Sequence, residues 1–148
     1  MPIFKISAAF ALLAASTLGA AAQDAASLIA ERQARMETVG DAAEAGGNMA
    51  RERAPFDAAT ATRVFREMNE AASGFADLFP EGTETGGDTE AAPAIFEDRA
   101  GFEAAAAKFE ADTAAALAAE PQDLAAFQTV FQTVAANCRA CHSEYRED

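Results

Sequence analysis

The chain has no tryptophan, one tyrosine, one histidine and two cysteines in 148 residues. A zinc site built from cysteine and histidine wants four ligands, and only three such side chains exist here. No run alternates valine, isoleucine or tyrosine with polar residues, and β-branched residues are sparse, so no strand is signalled. That removes the βαβ setting in which a thioredoxin-like dithiol would sit. Basic residues are also scarce. Past Lys5 the chain carries 10 basic residues against 24 acidic ones, a formal charge of −14, and Lys108 is the one lysine among them. Such a balance argues against nucleic acid and against anionic membrane surfaces as partners. It permits steering toward a basic protein partner, and it keeps a protein soluble in any case.

What is abundant is alanine, and with it a helical pattern along nearly all of the chain. The first residues are a separate matter. Lys5 supplies a positive start, Ile6 to Leu18 is short and apolar, and Gly19-Ala20-Ala21-Ala22 offers small residues for cleavage. This reads as a secretory signal peptide over 1–22, too short for a membrane span, and predicts export to the periplasm. Residues 23–148 then form a single domain, long enough for a real core.

Four helices are expected in that domain. The first runs from about Ala25 to Ala45, with Leu28, Arg32, Met36 and Val39 on one face, and Gly46-Gly47 is expected to break it. Met49 then falls in an irregular piece. The second starts after Pro55 with Asp57 as N-cap and reaches Phe79 before Pro80. Glu81 to Ala92, rich in glycine and threonine, is a loop longer than a usual helix–helix connection. Ile95 and Phe96 look like an apolar plug ahead of the third helix, roughly Asp98 to Ala119. Lys108 sits beside the apolar stripe of that helix and is expected to snorkel to water. The fourth helix, from near Asp123, carries Leu124, Phe127, Phe131, Val134, Cys138 and Cys141 at spacings of three and four. Amphipathic helices of this length and number make an all-α, antiparallel four-helix bundle the natural solution.

The chemistry is concentrated in Asn137-Cys138-Arg139-Ala140-Cys141-His142. C-x-x-C-H is the attachment site of a c-type haem. Cys138 and Cys141 suit thioethers to two points on one edge of a macrocycle, and His142 puts an imidazole on the iron. A disulfide would leave the sole histidine beside the pair as a coincidence. Because both cysteines continue the core-facing stripe of their helix, the porphyrin is expected inside the fold. The small electron-transfer cytochromes that carry the motif near the start of the chain, with a second ligand after it, do not match: here it is six residues from the end, with no methionine beyond.

On the other side of the iron, bis-histidine ligation within one chain is impossible. A sixth ligand is a methionine, an unusual lysine or nothing, which leaves Met36, Met49, Met68 and Lys108. Each methionine is also a flexible core filler. Met36 is favoured because Arg32 lies one turn before it. An arginine on an apolar face needs a partner, and a haem propionate would provide one through charge-assisted hydrogen bonds. No positioned acid–base group other than Arg32 accompanies Met36, so an enzyme is not expected.

The chain resembles the cytochrome c-prime family, bundle cytochromes with a C-terminal haem that include the low-spin cytochromes c-556. The resemblance covers nearly all of 23–148. It rests on Arg32-x-x-x-Met36, Gly46-Gly47-Asn48-Met49, Phe79-Pro80-Glu81-Gly82-Thr83, Ala94-Ile95-Phe96-Glu97 and the terminal Cys138-Arg139-Ala140-Cys141-His142-Ser143-Glu144-Tyr145-Arg146. Phe96 stands where the family commonly has tryptophan. The resemblance implies one covalent haem c, His142 as proximal ligand and the Met36 position on the distal side. In low-spin members that methionine binds iron and the protein carries electrons between redox partner proteins. In high-spin members the distal side is open and takes nitric oxide or carbon monoxide. It also implies a homodimer through the first two helices, and places Arg146 near the proximal face, where it would influence the imidazole.

Overall fold

The computed structural model describes residues 11–147, with side chains from Asp24 onward. The helices are α1 (Ala11–Ala50), α2 (Ala58–Ala72), the short α3 (Ala94–Glu97), α4 (Arg99–Ala119) and α5 (Leu124–Tyr145), with a 3-10 turn at Phe75–Leu78. The four long helices close a ring: α1 packs on α2 and α5, and α4 packs on both of those. This is the expected antiparallel four-helix bundle. The leader expected over 1–22 lies outside the residues whose side chains are described. Among the described residues no helix is long and apolar enough to cross a membrane.

Three helices begin on an aspartate whose carboxylate accepts a main-chain hydrogen bond from three residues on. The bonds are Thr60 to Asp57 (2.7 Å), Gly101 to Asp98 (3.2 Å) and Ala126 to Asp123 (2.9 Å). Each satisfies one amide that the first turn leaves free. The expected starts of these helices therefore hold to within a residue.

The ends of α1 and α2 differ from expectation. α1 continues through Gly46-Gly47 to Ala50, so Met49 is in its last turn and is buried, not in an irregular piece. Gly46 serves close packing: a Cβ there would overlap the Phe131 ring of α5. Tertiary contact overrides the poor helix propensity of glycine here. α2 stops at Ala72 instead of reaching Phe79, because Gly74 takes a left-handed conformation (φ 64°) and turns the chain into the 3-10 segment. Phe75 and Phe79 thus leave the face of α2. Arg99 in α4 holds the new segment by donating to Phe79 O and Ala76 O, both at 2.9 Å.

The interior has two parts. One is a sealed core in which Met49, Val64, Phe65, Met68, Phe127, Phe131 and Val134 pack together. The rings of Phe127 and Phe131 stack at 5.3 Å between centroids, and Phe65 meets Phe127 at 5.5 Å. The other is a smaller aromatic cluster of Phe79, Ile95 and Phe102, with Phe96 packed against it as the expected plug. Beside that second cluster the bundle opens into a cavity.

Candidate haem site

The cavity has a volume of about 680 Å³ and lies between α1, the beginning of α4 and the end of α5. Its size follows from the residues opposite one another. α1 presents Gly40 and Ala43 and α4 presents Ala105 and Ala106, whereas the sealed core is filled by Phe65 of α2 and Phe127 and Phe131 of α5. Small side chains on facing helices leave the volume that a large planar ligand fills.

From α5, Cys138, Cys141 and His142 all line the cavity. The thiols are half-buried and unpaired, and burial raises both above their ordinary pKa. A nucleophilic redox thiolate needs the opposite shift. His142 is exposed, and partial desolvation lowers its pKa, with nearby Arg146 acting in the same direction and Glu90 against it. The imidazole is thereby biased to the neutral form, the one that ligates a metal.

From α1 come Arg32 and Met36. Arg32 is 4% exposed. Its Nη2 donates to Thr83 O at 2.9 Å, and its guanidinium stands 4.3 Å over the Phe79 ring. The Phe79-to-Thr83 stretch is thus the seat of this arginine, and Thr83 is itself pinned by donating to Pro80 O. Nε and Nη1 of Arg32 are buried with no partner. Burial lowers its pKa, and Glu84 opposes the shift from a distance. Two orphaned donors of one planar fork beside a haem-sized cavity fit a carboxylate such as a haem propionate.

Met36 is half-buried on the same wall. Met49 and Met68, at 2% and 1% exposed, are locked in the sealed core and do not line the cavity. Lys108 is exposed as expected, is paired with Asp112, and does not reach the cavity. Of the four candidates for a second axial ligand, only Met36 lies at the cavity. Arg146 also lines it, at the end of α5, and pairs with Glu90 at 2.7 Å.

Sequence reading missed the far end of the crossover loop, where Asp88 to Ala91 borders the cavity. Gln33 donates to Asp88 O at 2.9 Å and fastens this stretch to α1. A loop has no hydrophobic period, so nothing in the local pattern marks it. Tyr145 and Phe102 were likewise not seen as neighbours across the cavity wall.

A C-x-x-C-H helix facing an apolar cavity in a four-helix bundle defines a c-type haem protein. The family model described as Cytochrome C' matches residues 27–146, and the chain belongs to that family. A cytochrome c-556 of Agrobacterium fabrum (strain C58) is 38% identical over 129 residues, 87% of each chain. The solved structure of cytochrome c' from Rhodopseudomonas palustris superposes with a TM-score of 0.78 at 32% identity, covering 82% of this chain and 96% of that one. The nitric oxide complex of a mutant cytochrome c prime from Alcaligenes xylosoxidans gives 0.74 at 26% identity, covering 84% and 96%. The cofactor is one covalent haem c, and Cys138 and Cys141, the only cysteines of the chain, are its attachment points.

Proposed function

We propose that this cytochrome is a periplasmic electron carrier with His142 as proximal and Met36 as distal ligand. The observation that carries the reading is the sorting of the methionines: Met36 alone of the described three lines the cavity that His142 also lines. Bound there, the haem supplies a one-electron couple whose potential a thioether ligand raises. Arg32 orients a propionate through Nε and Nη1 and compensates its charge. The apolar wall of Val39, Ala105, Ala106 and Phe109 excludes water from the distal side. Arg146, held by Glu90, places a cation near the imidazole of His142.

The same apolar wall favours a second reading. Its four side chains carry no hydrogen-bonding group, which suits a small apolar gas, and a relative has been solved as a nitric oxide complex. If Met36 only borders an open iron, the protein takes nitric oxide or carbon monoxide. A homodimer through α1 and α2 accompanies either reading. The deciding test is the optical spectrum of the holoprotein, oxidised and reduced, with and without carbon monoxide. Sharp reduced bands and the red charge-transfer band of thioether ligation support the electron carrier. Broad high-spin bands that sharpen with carbon monoxide would replace it with the gas-binding reading.

A further inference from the structure

His142 is in the last turn of α5, three residues before the helix ends at Tyr145, and a helix end frays if nothing holds it. Two segments do hold it. One is the crossover loop, which pairs with the tail through Ala92 N to Tyr145 O (3.1 Å) and Glu147 N to Glu90 O (2.8 Å). The other is α4. The phenol of Tyr145 donates to Asp98 Oδ2 at 3.0 Å, while Asp98 Oδ1 accepts from Gly101 N. One carboxylate therefore caps the start of α4 and ties down the end of α5.

Two further features converge on this bond. The Tyr145 ring packs edge-on against Phe102, with centroids 5.4 Å apart and planes at 70°, and Phe102 is 2% exposed. The ring has little freedom to turn away. Position 101 is glycine in the first turn of α4, where alanine would ordinarily be the better helix former. A Cβ there would overlap Asp98 Oδ2 and lie 2.5 Å from the Tyr145 hydroxyl. The glycine is explained by the clearance this bond requires.

We propose that Tyr145 and Asp98 are positioning residues for His142: their hydrogen bond, with Gly101 as its clearance, sets how the imidazole is presented to the cavity. The inference rests on the reading of His142 as proximal ligand. Tyr145 lines the cavity one helical turn from His142, so a displacement of its ring shifts the turn that carries both. The bond between a phenol and a carboxylate is charge-assisted and short-ranged, and breaking it frees the last turn of α5 on its α4 side.

The test uses the full holoprotein and three variants. Tyr145→Phe removes the donor and keeps the ring. Asp98→Asn keeps a capping side chain and removes the charge. Gly101→Ala wedges the bond apart with no change in charge or aromatic content. The readouts are the reduction potential, the optical spectrum, and amide exchange over Cys141–Glu147. Tyr145→Phe and Gly101→Ala are expected to move the potential in the same direction. Adding Asp98→Asn to Tyr145→Phe should move it less than the two single shifts added together. Exchange in the last turn should quicken roughly tenfold on loss of one such bond. A potential and spectrum unchanged in Tyr145→Phe and Gly101→Ala would overturn the proposal even if exchange quickens, because the bond would then only pin the terminus. Fully additive shifts would overturn it too. A His142→Gly holoprotein with the wild-type spectrum would instead sink the ligand assignment, which separates the two failures.

Discussion

The two ends of the bundle interior treat the same residue types differently. In the sealed core, Met49 and Met68 pack in one buried cluster with Phe65, Phe127 and Phe131. At the cavity, Met36 lines the same open space as Ala105 and Ala106, and an arginine sits among apolar groups. Periodicity places Met36 and Met68 on inward faces, and the continuation of α1 to Ala50 brings Met49 inward as well. What separates a core filler from a candidate ligand is whether the surrounding packing closes on the side chain or leaves a cavity beside it. The same contrast holds for polar groups. The polar side chains of the sealed half are satisfied within the protein: Thr113 donates to the α4 backbone and accepts from Asn69. Arg32 keeps two donors free at the cavity. One half is built to be closed, the other to be completed by a cofactor.

The contrast can be broken most forcefully from the closed side. Phe127→Ala removes a fully buried ring from the sealed core and should cost about 3–5 kcal/mol in urea unfolding. The haem spectrum should stay as in the wild type. A changed spectrum would mean that the two halves are coupled.

Next in size is Arg32→Met, which removes the buried cation and keeps most of its volume. If a propionate holds Nε and Nη1, the holoprotein loses about 1–3 kcal/mol and the reduction potential falls, since a positive charge near the iron favours the reduced state. If nothing holds them, removal of an uncompensated buried charge stabilises the fold. The sign of the change in urea midpoint is decisive.

Met36→Leu should change stability by less than about 1.5 kcal/mol, since volume is nearly conserved. Its effect belongs in the spectrum: loss of the thioether band and conversion to high spin. A spectrum identical to the wild type would make Met36 a wall residue like its counterparts in the core.

The smallest effect concerns acid. Hydrogen bonds from Lys108 and Asn137 hold the Asp112 carboxyl below its usual value of 3.8. Its folded pKa is depressed, so its contribution is complete above about 3.8 and is lost as pH falls through the lower folded value. Asp112→Asn should flatten that acid limb of the unfolding curve and leave neutral stability nearly unchanged. Because Asn137 also lines the cavity, an altered haem spectrum at neutral pH would extend the functional half as far as Asp112.

Much of this site is legible in the chain because its chemistry is local. Cys138, Cys141 and His142 are adjacent in one helix, and Arg32 and Met36 are one turn apart in another. The aspartate caps are equally local, and the starts of α2, α4 and α5 follow from them. The ends were harder for a physical reason. Gly46 signals a break by propensity, yet it lies inside α1 because Phe131 needs the space. α2 shows a continuous apolar period to Phe79, but Gly74 and the grip of Arg99 on two carbonyls redirect the chain.

The sequence alone determined the covalent cofactor, the helical class and the inward faces of the helix interiors, since each depends on residues within a turn or two of one another. Only the tertiary structure decided which methionine meets the cavity, where Arg32 is seated and what anchors the turn bearing His142. Those outcomes depend on side chains far apart in the chain: Thr83 against Arg32, Ala105 and Ala106 across from α1, and Asp98 against Tyr145. Helical periodicity fixes a direction for each side chain, and packing fixes what stands in that direction.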